Sequence, residues 1–338
     1  MSIQQKKEKC RKPVNEVITT ENTIISIVIV NYMTKELLSD CLKSIFREDY
    51  KRNQIIVVDN NSTDGSAEMV EEDYPTVHLI KNKENVGFAK ANNIAIKHAI
   101  GEYILLLNPD TELTDSTIEK LVGFMEKDTS VSACGCMVLY PDGRIQISCG
   151  YFPSFSSACL GGQSINMLYR KIFPNSNFLG ACGITPEALN SIQEVETLLG
   201  ACVMIRREVL EQVGLFDENM FLYFEECDLF YRIRKAGGKV MYTPDTKVIH
   251  HAGGSSNKNI SKAVMYYQNS QEYYFIKNYS LKNIKLFKMA IMISAIIKTP
   301  FLSLMYVFCN KDRKLEQRRK IAWHWYTFLY QLKMLILQ

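Results

Sequence analysis

The sequence predicts an α/β protein built on an open, mostly parallel sheet, with a helical tail at its C-terminus. Three observations carry that prediction. Apolar, β-branched runs alternate with amphipathic stretches through residues 24–107, the pattern of strands joined by helical crossovers. The first run, residues 24–30, is β-branched almost throughout, as in a strand covered on both faces. Each run is followed at once by polar residues.

The elements follow in order. Residues 24–30, IISIVIV, form the first strand, and residues 35–47 the first helix. Strands are expected at residues 54–58, 77–80 and 103–107, with helices at 65–72 and 89–99 between them and right-handed crossovers throughout. Residues 141–195, with Pro141-Asp142-Gly143 and many Ser, Gly and Phe, read as an irregular insertion. Order resumes over residues 198–213. A helix at 223–236, closed by Gly237-Gly238, precedes short strands at 239–242 and 247–250.

Composition narrows the class. The chain has 338 residues, 47% of them hydrophobic and 22% charged, with 17 Gly and 9 Pro. That excludes disordered, collagen-like and disulfide-scaffold proteins. The ten cysteines form no CxxC pair and accompany no His at zinc-finger spacing, so they are expected to be reduced, mostly buried thiols of a cytosolic protein. The charged N-terminus lacks a signal-like apolar stretch, so secretion is not expected. The net charge of +4 conceals an asymmetry: residues 276–338 carry twelve Lys or Arg against Asp312 and Glu316, while residues 1–275 carry 28 basic and 34 acidic groups. An acidic body bears a basic tail.

Open α/β sheets bind ligands beyond the carboxyl ends of their strands. Here those ends read Asn31-Tyr32, then Asp59 through Gly65, Asn82 through Phe88, and Asn108-Pro109-Asp110. Singly, such segments are ordinary turns and N-caps, and Glu225, Glu226 and Asp228 are an ordinary solvated helix start. Together and in this order, VNY at 30–32, VVDNNSTDGS at 57–66, NVGFAKANN at 85–93, LLLNPD at 105–110, LLGACVMIRREVLEQVGLFDE at 198–218, FEECDLFYRIRKAG at 224–237 and HHAGGSS at 250–256 resemble the inverting glycosyltransferases of family 2, especially their rhamnosyltransferase-like members.

The resemblance implies a GT-A fold over residues 24–256, behind a flexible N-terminus at 1–23, and a nucleotide-diphosphate sugar as donor. Asp59 with Asn60 would hold the pyrimidine, and Val30, Asn31 and Tyr32 would wall its pocket. Asn85, Gly87 and Lys90 would face phosphate or sugar hydroxyls, although Lys90 reads equally well as a solvated helix lysine. Asp110, preceded by Asn108 where relatives often have Asp, would ligate Mg²⁺ or Mn²⁺. His250 would lie by the metal or diphosphate, or else pair with a backbone carbonyl. Glu226 takes the position of the general base, with Glu225 and Asp228 as alternatives; neighbouring carboxylates raise each other's pKa, as such a base requires. Asp217 would touch sugar or acceptor, or cap a helix. Residues 253–257 would close over bound nucleotide.

The tail, residues 257–338, contains a 21-residue stretch at 289–309 whose only charge is Lys298. It is long enough to span a bilayer, yet a central lysine costs about 2.5–3.5 kcal/mol and Pro300 interrupts the helix. With Lys282, Lys285 and Lys288 before it and Lys311, Arg313 and Lys314 after it, an in-plane or re-entrant helix on an anionic cytoplasmic surface fits better, with Trp323, Trp325, Tyr326 and Tyr330 at headgroup depth. Packing on the body or a homodimer is the alternative; nucleic acid is disfavoured by the acidic body. The expected protein is an inverting glycosyltransferase, peripheral on the inner face of the cell membrane, moving rhamnose from dTDP-rhamnose to a lipid-linked or polysaccharide acceptor. The competing reading is a catalytically silent nucleotide-sugar-binding scaffold of a glycan-assembly complex. A nucleotidyltransferase would need a Gly-rich triphosphate loop, which VIVNYMTKE lacks.

Overall fold

The computed structural model describes residues 24–114, 116–160, 184, 186–252, 259–308 and 314–337. The N-terminal residues 1–23, the segment 253–257 and the basic residues Lys311 and Arg313 lie outside them. In chain order the body runs β1 (Ile25–Asn31), α1 (Lys35–Glu48), β2 (Asn53–Asp59), α2 (Ser66–Asp73), β3 (His78–Lys81), α3 (Phe88–Lys97), β4 (Tyr103–Leu107), β5 (Thr111–Leu113), α4 (Thr117–Lys127) and β6 (Val131–Leu139). It continues through β7 (Ile145–Gln146), β8 (Cys149–Gly150), α5 (Phe155–Leu160), a 3₁₀ turn (Pro186–Asn190), β9 (Gln193–Glu194), β10 (Thr197–Leu198), β11 (Cys202–Arg206), α6 (Arg207–Val213), α7 (Glu225–Lys235) and β12 (Lys239–His250). The tail is α8 (Ile260–Tyr279), α9 (Ile284–Val307) and α10 (Lys314–Ile336).

The main sheet has the order β3-β2-β1-β4-β11-β6-β12-β5. β3, β2, β1 and β4 pair in parallel, β11 runs antiparallel to both β4 and β6, β6 and β12 are parallel, and β5 is antiparallel to β12. Period two sorts each strand between two cores. Ile25, Ile27 and Ile29 of β1 pack with Leu38, Leu42 and Ile45 of α1. Val28 and Val30 face the other side, against Ala91 and Ala95 of α3. Because both faces are covered, β1 and β4 tolerate no polar alternation.

Besides the short elements within residues 141–195, three elements are not foreseen from the sequence pattern. β5, α4 and β6 occupy residues 111–139, where the strand is rich in Ser, Gly and Cys and so lacks a β-branched run. The two short strands expected at 239–242 and 247–250 are one, β12, whose register shifts between Thr243 and Lys247. Pro244, which cannot donate to a ladder, lies within that irregularity. The seven described cysteines are free and six are buried.

The tail folds back on the body. Phe275 of α8 and Phe287 and Ile291 of α9 join Met220, Phe224 and Cys159 in a third apolar cluster. Helices α8 and α9 thus share a core with the loop that leads into α7.

Candidate active site

Register brings the polar strand ends to one edge. Asn31 lies opposite Asp59, and Ile29 opposite Leu107, so Asn108 follows one step beyond. Gly200 and Ala201 precede β11 at the same edge, where the Ala201 carbonyl accepts from Asn108 N–H at 3.1 Å. β12 ends there too, with His250 opposite Thr111.

Asp59 is buried. Its Oδ1 accepts from Asn31 Nδ2 at 2.8 Å and its Oδ2 from Ser62 N–H at 2.8 Å. A carboxylate has about four lone-pair positions, so acceptor capacity remains for a ligand. Val30 and Asn31 are buried behind it, while the Tyr32 ring is 40% exposed and offers a stacking surface.

Asn60 fastens the next loop. Its amide donates to Asn85 Oδ1 and the Gly87 carbonyl, both at 3.2 Å, and accepts from Asn82 Nδ2 at 2.9 Å. Asn85 in turn accepts from Gly87 N–H at 3.0 Å. Gly87 has φ +88, and a Cβ there would lie 2.6 Å from the Phe221 carbonyl, which also accepts from Phe88 N–H at 2.7 Å. The close approach made by Gly87 is therefore to the loop before α7, a partner absent from the sequence reading. Lys90 points to solvent from α3.

Asp110 and His250 meet in a buried pair, with Nε2 3.2 Å from Oδ1. His250 Nδ1 lies 3.0 Å from Gln146 Oε1, a side chain rather than the backbone carbonyl weighed from sequence. The imidazole thus bridges the Gln146 side chain and the Asp110 carboxylate. One carboxylate and one imidazole could supply two ligands to a divalent ion, Mn²⁺ more readily than Mg²⁺, and no group of three His, Cys, Asp or Glu converges among the described residues.

The acidic pair sits at a strained helix start. Tyr223 and Phe224 have φ of 70° and 67°, a left-handed conformation that bulky residues rarely adopt, and the first turn of α7 that follows sets Glu226 against Gly200. Glu225 is buried, with Oε2 lacking a hydrogen-bond partner among the described residues. Burial first, then the neighbouring Glu226, pushes its carboxyl well above the usual range. Glu226 is half-buried; burial raises its pKa too, while a hydrogen bond from Glu225 and one from Gly200 N–H favour its charge. Both carboxyls are thus held above the usual range, Glu225 the further of the two, and Glu226 is the more exposed member. A methyl group on Gly200 would overlap the Glu226 carboxylate, which explains a glycine there.

Asp228 differs from these two. Its fully buried carboxylate takes Arg232 Nε at 2.8 Å, Lys277 Nζ at 2.8 Å and Asn278 Nδ2 at 3.0 Å. That corrects its place among the candidate bases: each oxygen is engaged in an ion pair, and the group ties α7 to α8. Asp217 shares Lys277, at 2.7 Å, and accepts from Asn219 N–H and from Tyr273. Burial alone would raise its pKa, but Lys277 and then Asn219 outweigh this and hold it down at about 2. Asp217 is accordingly a fastener between the 214–224 loop and α8. Lys277 was invisible in the sequence, since nothing in its spacing links it to Asp228 and Asp217, 49 and 60 residues earlier.

Comparisons with known proteins agree with this geometry. The family description "Glycosyl transferase family 2" matches residues 26–214. An N-acetylglucosaminyl-diphospho-decaprenol L-rhamnosyltransferase of Mycobacterium tuberculosis is 27% identical over 248 residues, covering 70% of this chain and 78% of its own. The dTDP-rhamnosyl transferase RfbF of Shigella flexneri is 26% identical over 260 residues, covering 76% and 79%. A mannosyltransferase of Pyrobaculum calidifontis, solved with GDP-Man and Mn²⁺, superposes with a TM-score of 0.56 at 16% identity over 96% of this chain and 91% of its own. That last likeness concerns the fold alone. Because the family match covers more than half of the chain, this protein belongs to glycosyl transferase family 2 and is a glycosyltransferase.

Proposed function

We propose that this enzyme moves rhamnose, with inversion, from dTDP-rhamnose to a hydroxyl of a lipid-linked surface-glycan acceptor at the cytoplasmic face of the membrane. The observation that carries the reading is the Glu225–Glu226 pair, held at the same sheet edge as Asp59 and the Asp110–His250 pair. Two relatives named for rhamnose transfer, one of them to a decaprenol-linked sugar, support the donor and acceptor classes.

Asp59 accepts a pyrimidine N–H, and Tyr32 packs on the ring. Asn85 and Gly87 order the loop that opens α3, whose N-terminal N–H groups face the diphosphate. Glu226 removes the acceptor hydroxyl proton as the new C1–O bond forms and the bond from C1 to the phosphate oxygen breaks; the pair of electrons leaves with the nucleoside diphosphate. Glu225, protonated, steadies the Glu226 charge. Asp110 and His250 would hold the Mg²⁺ or Mn²⁺, which when bound neutralises charge on the leaving diphosphate.

The tail supports a membrane setting. α9 reaches a mean hydropathy of 1.7 over an 18-residue window, of which 11% is buried within the structure. Ile297, Val307 and Phe308 are 67%, 69% and 80% exposed, an apolar face unsuited to water. Since Phe287, Lys288, Ile291 and Ala295 are buried against the body, an in-plane position suits α9 better than a free span.

Glu226→Gln tests the assignment. Transfer falls about 10²–10⁴-fold while dTDP binds as before. Full turnover in that variant would sink the assignment, and nucleotide binding without turnover of any donor by the parent enzyme would return the protein to the scaffold reading.

A further inference from the structure

A cavity of about 330 Å³ lies where the catalytic body meets the tail helices. Its walls include Phe224 at the head of α7, Gln268 and Gln271 of α8, Lys298 of α9, and Trp323 and His324 of α10. Phe224 adjoins Glu225 in sequence, so one residue belongs both to the cavity wall and to the helix start that carries the acidic pair.

The cavity explains the lysine that disrupts the apolar run of α9. Phe287, Ile291 and Ala295 form the helix's inward face, and Lys298, seven residues after Ile291 and three after Ala295, continues that stripe. Its Nζ donates to the Cys159 carbonyl at 3.3 Å. The outward face stays apolar at Ile293, Ile297 and Phe301. An ionisable residue turned inward from a membrane-facing helix marks a ligand path more often than a structural accident. Lys288, ten residues earlier on the same helix, pairs with Glu272 of α8 at 3.3 Å.

The remaining lining has defined chemistry. Burial, and then the Lys298 charge, pushes the His324 imidazole down to about 4, so Lys298 supplies the positive charge. Gln268 is satisfied by Gln331 at 2.7 Å. Gln271 is 3% exposed, and its Oε1 has no hydrogen-bond partner among the described residues. The Trp323 ring is braced edge-on by Tyr267, with centroids 5.4 Å apart. A cation, an unspent amide acceptor and a flat ring in one small cavity match a phosphate joined to a sugar.

We propose that this cavity receives the phosphate-bearing headgroup of the membrane-borne acceptor lipid, with Lys298 on its phosphate and Gln271 on a hydroxyl of the attached sugar. The inference rests on the proposed transfer to a lipid-linked acceptor and adds where that acceptor binds and through which residues. The lipid chain leaves along the apolar face of α9.

The chain contains two tryptophans, so Trp325→Phe in the full-length protein leaves Trp323 as a reporter inside the cavity. Farnesyl diphosphate added to this protein in detergent micelles produces a saturable change in Trp323 fluorescence. Lys298→Gln weakens it by about tenfold or more, the scale of one charge-assisted hydrogen bond, and Lys298→Arg keeps it. If Lys298→Gln does not fold, displacement of farnesyl diphosphate by inorganic pyrophosphate reads the same charge on the parent protein; no displacement overturns the proposal. An equal, Lys298-dependent response to micellar phosphatidylglycerol would assign the cavity to bulk anionic lipid and overturn the acceptor assignment. Calorimetric binding of dTDP separates the two levels. Intact dTDP binding with no farnesyl diphosphate response defeats this inference alone, whereas absence of any nucleotide binding defeats the transferase reading and this inference with it.

Discussion

Gly200→Ala separates positioning of the base from stability. Gly200 N–H holds the Glu226 carboxylate, and a Cβ at this position overlaps that carboxylate's Oε1, with Cδ and Cγ only 3.2 and 3.3 Å away. The Gly200 backbone is outside the left-handed region, so alanine adds no backbone strain, and its smaller unfolded-state entropy contributes about 0.4–1 kcal/mol of stability. What must yield is the end of a flexible, half-buried side chain, by about 1 Å. Misplacement of a reacting group on that scale costs about 10²-fold in rate, or roughly 2.7 kcal/mol of barrier. The expected variant loses no thermal stability and keeps its dTDP affinity but, with the proposed donor dTDP-rhamnose, turns over about a hundredfold more slowly. Combining it with Glu226→Gln adds little further loss, because both act on one carboxylate. A kcat within about threefold of the parent would refute the argument.

Other outcomes follow from the same contacts. Lys277→Met leaves two carboxylates short of a cation; with Arg232 and Asn278 still on Asp228, and with Lys277 partly exposed, the cost is about 1–2 kcal/mol at pH 7 by urea denaturation. The Asp217 share has a defined sign: its folded pKa is depressed to about 2, so that stability is present above the unfolded value near 3.8 and is lost as pH falls toward 2. The gap between Lys277→Met and the parent therefore narrows below about pH 4; a constant gap down to pH 2 contradicts the pairing. Asp110→Asn raises the Mn²⁺ concentration for half-maximal turnover by about tenfold, and an unchanged Mn²⁺ titration argues against Asp110 as a ligand. Carbonate releases the protein from membranes if α9 lies in plane; retention in the pellet indicates a span.

The parallel half of the sheet was legible because apolar, β-branched runs leave strands few alternatives, and the family motifs carried the strand-end residues with them. β6 was not: VSACGCMVL owes its place to pairing with β11 and β12 on either side, not to propensity. The site divides in the same manner. Asp59, Asp110, Glu225 and Glu226 could be named only through the family motifs in which they stand, since singly each lies in an ordinary turn or helix start. Which of Glu225 and Glu226 is held further above the usual range could not, because it depends on which carboxylate is buried and on a hydrogen bond from Gly200 N–H.

By itself, then, the sequence determined the sheet type, the family and an apolar tail around one unexplained lysine. Only the tertiary structure decided that Asp228 and Asp217 are fasteners, that Gly87 is shaped by the Phe221 carbonyl, and that Lys298 faces a cavity behind the acidic pair. The physical reason is common to all of these. Periodicity and motifs record what a residue does within its own segment, whereas the protonation and pairing of a buried polar group depend on atoms brought to it from distant segments by folding.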